Sequence, residues 1–318
     1  MIAKVLKFGI KRMLLSMNLD VRRISENAAS PQRFAGADPI TFQYLSDLKI
    51  APVLAIELSQ ARAGIMGFLY NAASAHPLAS AFEAARKENA LDDSASAARR
   101  ILSDYYTTVQ PASALEVVDL EPHEAPGLVG IPLHSWVMPW SERSTEDTAM
   151  HRRICLEEEG FVNGSRVSIS DGATLFGPVT EKKLRLETTR IVNLAASMKA
   201  RGFQSIAAHP IEVIGLRSGS EYRWLVVQGQ HRMAACVAFG ISRVPARLVR
   251  IIRREDAGHW PHVVSKTFTP AGALRCFDRL FAGTACSCAT SWLDQPLLHI
   301  DYLKRREDRA MRLAERPV

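Results

Sequence analysis

The chain has 318 residues, 47% of them hydrophobic and 23% charged, with a formal net charge of +7. These proportions exclude a collagen-like, low-complexity or wholly disordered chain, and the length suggests roughly two folded domains. Lys4, Lys7, Lys11, Arg12, Arg22 and Arg23 against the single acid Asp20 account for +5 of that charge, so the excess sits on a terminal segment rather than on the basic face expected of a nucleic-acid-binding domain.

Residues 1–19 read as a basic amphipathic helix within a first segment of 1–24. Ile2, Val5, Leu6, Ile10, Met13 and Met17 recur at helical spacing, and Lys4, Lys7 and Lys11 take another face. Two readings stand: a helix lying on an anionic membrane surface, or one docked on its own domain with lysines outward. The lysines break any continuous apolar signal core, and no stretch approaches the ~18 uncharged apolar residues of a membrane span. A cytoplasmic protein, peripheral on the inner face of the membrane if the first reading holds, is the expectation.

Residues 25–150 are expected to be mainly helical, after a polar linker over 20–36. Leu45, Leu48, Val53, Leu54 and Leu58 supply apolar positions, and Pro52 is read as a helix start. Two further helices are predicted over 79–89 and 94–106, the second ending in the packing pair Tyr105 and Tyr106. Pro122, Pro126, Pro132 and Pro139 exclude a long helix over 121–150, a connector or lid that carries Trp136 and Trp140.

The 151–252 segment opens on a helix whose Glu157, Glu158 and Glu159 read as a solvated face. A short strand at 167–169 ends in the turn Asp171-Gly172. A helix is predicted over 189–201, strands over 210–216 and 222–227, a helix over 231–239 and a strand over 244–252. The last segment, 253–318, reads as a helical tail with a helix over 271–281, and His259 and His262 as structural. The five cysteines are odd in number, and Cys286-Ser287-Cys288 is too tight for a usual zinc half-site, so they read as reduced thiols.

The most informative stretch is 226–248. An apolar strand runs into Gly229, then Gln230, His231 and Arg232, and directly into an Ala-rich helix that stops at Gly240 before a strand near Pro245. The first amides of a helix lack backbone partners and the dipole adds positive potential, so a Gly turn opening a helix is an anion site. His231 and Arg232 add donors. Glu187 is the candidate acid, placed just before the helix at 189, and Arg190 reaches phosphate or is merely solvated. Lys182 and Lys183 are solvated or line the mouth of the pocket.

This pattern resembles the phosphate motif of the ParB/sulfiredoxin-like superfamily. Gly229-x-His231-Arg232, Ala234-Ala235, Gly240 and Val244-Pro245 carry the likeness, together with Leu194 to Met198 before Gly202-Phe203, and His209-Pro210-Ile211-Glu212-Val213. It covers roughly 176–252. The resemblance implies an α+β fold with a small mixed sheet, preceded by a mainly helical region and followed by a helical tail. It implies ATP or CTP held by Gly229, Gln230, His231, Arg232 and Arg190, with Mg²⁺ on Glu187 and Glu187 and His231 as catalytic groups for nucleotide hydrolysis or phosphoryl transfer. Gln230 stands where sulfiredoxins carry their cysteine, which argues against that activity, and Gln228 replaces the acid that often precedes the glycine. A short basic helix ahead of such a core is similar to bacterial proteins encoded with surface-polysaccharide genes. The alternative is a non-enzymatic, nucleotide-gated interaction module or a DNA-binding adaptor of ParB type. The DNA version is not favoured, because no recognition helix is evident after the last strand.

Overall fold

The computed structural model describes residues 38–41, 53–71, 75–87, 91–204 and 210–294. Met1–Ile50 forms one compact unit and Ala51–Val318 another. Of the first, residues 38–41 are described: a 3-10 turn closed by the Asp38 carbonyl accepting from Thr41 N at 2.8 Å. The amphipathic stretch 1–19 and the charged end of the chain lie outside the described residues.

The second unit is a mixed α/β structure around one six-stranded sheet. Its strands are β1 Val53–Glu57, β2 Ala61–Ala63, β3 Phe68–Leu69, β4 Ile211–Ser218, β5 Glu221–Gln228 and β6 Arg243–Arg253, in spatial order β1-β6-β4-β5-β2-β3. β4 and β5 form an antiparallel hairpin through Ser218-Gly219-Ser220, whereas β4 pairs β6 in parallel. β2 joins β5 in parallel, with Arg62 opposite Leu225, and β1 joins β6 antiparallel, with Ala55 opposite Pro245. The centre of β4, Val213 to Leu216, is buried throughout, which suits a strand covered on both sides.

Three expectations are corrected. Residues 53–69 were expected to be helical but form the three short strands β1, β2 and β3, joined by 3-10 turns at Leu58–Gln60 and Gly64–Met66. Ile56 and Leu58 are buried while Val53 is half exposed, and the segment completes both flanks of a sheet whose centre lies 150 residues away. Apolar positions at mixed spacing do not separate helix from strand when the pairing partner is distant in sequence. The strand expected at 167–169 is not formed; Ile169–Asp171 is a 3-10 turn. The helix expected from 189 begins at Glu181, because Thr180 caps it by accepting from Lys183 N and is itself held by Asp171.

The helices are α1 Pro77–Lys87, α2 Leu91–Thr108, α3 Ala114–Val118, α4 Thr145–Val162, α5 Glu181–Arg201, α6 Gln230–Ala238, α7 Pro261–Val264, α8 Pro270–Ala282 and α9 Thr290–Leu293. α1, α2, α5 and α6 pack on one another, and α6 also meets β4. Met233, Ala234, Ala235 and Cys236 of α6 are fully buried, small residues that let the helix lie close to the sheet. Trp140 from the Pro-rich connector meets Trp260 and Phe277 edge-on, at 5.3 and 5.9 Å between ring centroids, so its ring is a packing element. Trp136 carries the Arg152 guanidinium 3.6 Å over its ring.

Candidate functional site

The turn between β5 and α6 takes the form expected of it. Gly229 sits at φ 90°, ψ 23°, a left-handed conformation that glycine adopts without steric penalty, and no side chain caps α6. A side chain at Gly229 would also press on Ile211 and on the Arg232 guanidinium. Gly229, having no side chain, supplies no cap of its own to the leading amides of α6.

The predicted residues do not all converge. Arg232 turns back and donates to the Pro210 carbonyl at 3.1 Å, bracing the turn against the start of β4. The Gln230 side chain lies against Gly64, in the 3-10 turn that follows β2. His231 points inward, with Nε2 2.7 Å from Glu187 Oε2.

Glu187 is not ahead of a helix but within α5, and it is fully buried. Lys183, one turn earlier and equally buried, places Nζ 2.5 Å from Glu187 Oε1. Arg190 approaches Glu187 Oε2 at 3.3 Å, and Thr174 donates to Oε1 at 3.3 Å. Glu159 of α4 completes the cluster, pairing with Lys183 at 3.1 Å and with Arg190. The solvated-face reading of the three glutamates is thus corrected at Glu159, and the solvated reading of Lys183 is corrected outright. The place of Lys183 was legible in one respect. Lys183, Glu187 and Arg190 stand at i, i+4 and i+7, one face of a helix. Nothing in the sequence joined that face to Glu159 or His231.

The electrostatics follow from burial and charge balance. Two cations, Lys183 and Arg190, face two carboxylates, Glu159 and Glu187. Burial pushes the Glu187 carboxyl up, but His231 and then Lys183 outweigh it and hold the group below its ordinary value. Burial lowers the His231 imidazole and Arg190 adds to the effect, while the Glu187 carboxylate pulls it up. With Nε2 on the carboxylate, Nδ1 is the ring nitrogen left for a ligand or a proton.

A magnesium ion on Glu187 does not fit this arrangement. Both carboxylate oxygens already face ammonium, guanidinium, imidazole and hydroxyl groups, whereas Mg²⁺ asks for oxygen ligands in near-octahedral order. Among the described residues no group of three or more His, Cys, Asp or Glu side chains is disposed to hold a metal.

Behind the cluster lie aromatic residues that sequence reasoning took only as packing. Tyr106 donates to the Thr174 carbonyl at 3.0 Å, and Tyr105 to the Leu175 carbonyl at 2.5 Å, fixing the loop that presents Thr174. His76, at the start of α1, was not singled out. Its Nδ1 accepts from Leu78 N at 3.2 Å, its ring lies 4.8 Å from that of Tyr70, and its buried Nε2 has no hydrogen-bond partner among the described residues.

The arginines of β6 are held by carboxylates: Arg243 by Glu57 at 3.5 Å, Arg250 by Glu142 at 2.6 Å, Arg253 by Glu255 at 2.8 Å, and Arg247 by Glu212. Their charge is compensated within the fold. No helix among the described residues is long and apolar enough to cross a membrane.

The site is that of a mixed α/β protein with a glycine-opened helix N-terminus backed by a buried His–carboxylate pair. Compared with protein-family models, curated proteins and solved structures, the chain matches none.

Proposed function

We propose that this chain binds a nucleotide, ATP or CTP, with its phosphates at the Gly229 turn over the N-terminus of α6, in the manner of a ParB/sulfiredoxin-like domain. The observation that carries the reading is the left-handed Gly229 at the N-cap of α6, whose second residue, His231, is fixed on the buried Glu187. A turn of this kind leaves backbone amides to receive phosphate oxygens. Arg190, about a quarter exposed, stands on the adjoining face of α5 as a further cation. In this reading Glu187 orients the imidazole through Nε2, and Nδ1 faces the ligand. Neutral His231 accepts a proton there in hydrolysis or phosphoryl transfer, and the imidazolium so formed is stabilised by Glu187. Glu187 is a positioning residue in this scheme, and no step runs through a metal ion.

A second reading, a nucleotide-gated interaction module without turnover, is favoured by the internal balance of the cluster, in which each carboxylate is already matched by a cation. A role in bacterial surface-polysaccharide production and attachment to the inner face of a membrane belong to the same proposal, resting on the sequence resemblance and the basic segment 1–19.

The test is calorimetric titration of the full chain with ATP and CTP, each with and without Mg²⁺, alongside release of inorganic phosphate. Saturable binding of one nucleotide, weakened at least tenfold in His231→Ala while the circular dichroism is unchanged, is the expected result. Binding of neither nucleotide overturns the proposal. Binding without phosphate release selects the second reading.

A further inference from the structure

The loop joining α8 to α9 brings two thiols together. Cys286 Sγ lies 2.8 Å from Cys288 Sγ and 3.0 Å from the Glu116 carbonyl. Cys286 is fully buried, and Cys288 is partly exposed. The loop is held on both sides of the pair. Cys286 N donates to the Met66 carbonyl at 3.0 Å, and Ser287 Oγ donates to Asp119. Arg279 donates to the Ile65 carbonyl at 2.9 Å and stands 3.6 Å from Asp119.

The other cysteines offer no such pair. Cys236 and Cys276 are buried on helices, where burial pushes their thiols up to about 12 and about 11, so they are inert. Cys155 is exposed and stands beside His151.

We propose that Cys286 and Cys288 form a reversible intramolecular disulfide, making this loop a thiol–disulfide exchange site whose co-reactant is a low-molecular-weight disulfide such as glutathione disulfide. The two sulfurs share a hydrogen bond in which either can be the donor, and the nearby Arg279 guanidinium favours the anionic form of the pair. Loss of one proton from the pair leaves a single thiolate that the remaining proton stabilises on either sulfur. Cys288 is the sulfur that solvent reaches. Its thiolate attacks one sulfur of the reagent, breaking the reagent's S–S bond, and the departing thiolate takes up a proton. Cys286, having lost its own proton, then attacks the Cys288 sulfur of the mixed disulfide and expels the second small thiol. The pair loses two electrons and two protons, and the reagent becomes two thiols. A bridge between residues two apart closes a small ring, and strained bridges of this kind are the readily reduced ones.

The experiment uses the full chain carrying Cys155→Ser, equilibrated in buffers of graded reduced-to-oxidised glutathione ratio, quenched with acid, then blocked with N-ethylmaleimide in denaturant so that buried Cys286 is reached, and read by peptide mass spectrometry. The expected result is a peptide in which Cys286 and Cys288 lose both adducts together, are lighter by two hydrogens, and regain both adducts after dithiothreitol. Cys288→Ser, a change at a partly exposed position, abolishes the two-thiol transition. The proposal is overturned if both thiols stay reactive to the maleimide in the most oxidising buffer. It is equally overturned if a glutathione adduct persists on either residue, or if Cys286 links to Cys276 instead.

Discussion

His231 Nε2 lies 2.7 Å from Glu187 Oε2, joining the first turn of α6 to the interior of α5. Through Glu187 the same contact extends to Lys183 and Arg190, so the polar heart of the site is also what locks these two helices together.

Glu187→Gln is expected to lower stability by about 1–3 kcal/mol, because the neutral amide leaves two cations, Lys183 and Arg190, to share the single carboxylate of Glu159, so that one buried positive charge is unmatched. Urea denaturation measures this. Adding Lys183→Met in the same chain should recover part of the loss, since the stranded charge is then removed. A single variant with an unchanged urea midpoint would show that the pair is not buried as described.

Gly229→Ala should cost about 1–3 kcal/mol. An L side chain at φ 90° is strained, and its Cβ meets Ile211 Cγ1 and the Arg232 guanidinium at 3.0 Å. The same variant should weaken nucleotide or inorganic phosphate binding, because the turn must reopen to relieve the clash. Thermal unfolding with and without ligand separates the two effects.

Burial lowers His76 from its ordinary 6.5 to about 3, and His231 is lowered in the same direction. A histidine whose folded value is depressed contributes stability that is complete above about 6.5 and is lost as pH falls toward the folded value. Unfolding free energy should therefore decline from pH 6.5 downward. In His76→Asn, where the amide oxygen can still cap α1, that slope should be shallower. An identical slope in wild type and variant would contradict the burial of a neutral His76.

Asp171→Asn should destabilise the chain by about 1–2 kcal/mol. Burial opposes ionisation of Asp171, but Lys182 at 2.9 Å, Ser168 and Thr180 together hold it down to about 2. Its depressed carboxyl adds stability above about pH 4 that is lost as pH falls through 2, so the deficit of the variant should shrink in acid. Chemical denaturation at pH 7 and pH 2.5 checks both the size and the sign.

Anion binding should strengthen as pH falls below neutrality, because protonated His231 gains a donor at Nδ1 facing the anion. Calorimetry with sulfate, an anion of the same shape that stays doubly charged across pH 5.5–8, should show this trend in wild type and a flat profile in His231→Gln. A flat profile in wild type would remove His231 from the site.

The amino-acid sequence by itself determined the β4–β5–α6–β6 unit. The hairpin signal at Ser218-Gly219-Ser220, the glycine at 229 and the apolar periods on either side are local, and local signals survive without knowledge of partners. It also placed Glu187 and His231 among the candidates. Tertiary structure alone decided that β1, β2 and β3 form within residues 53–69, because a three-residue strand such as β2 gains its stability from pairing with β5, far along the chain. It alone decided that Lys183 and Glu159 belong to the cluster, that Arg232 braces the turn instead of facing outward, and that Glu187 is closed to a magnesium ion. Charge pairs between separate helices leave no period in a sequence. They form when packing brings the helices together, and burial then makes each cation find a carboxylate.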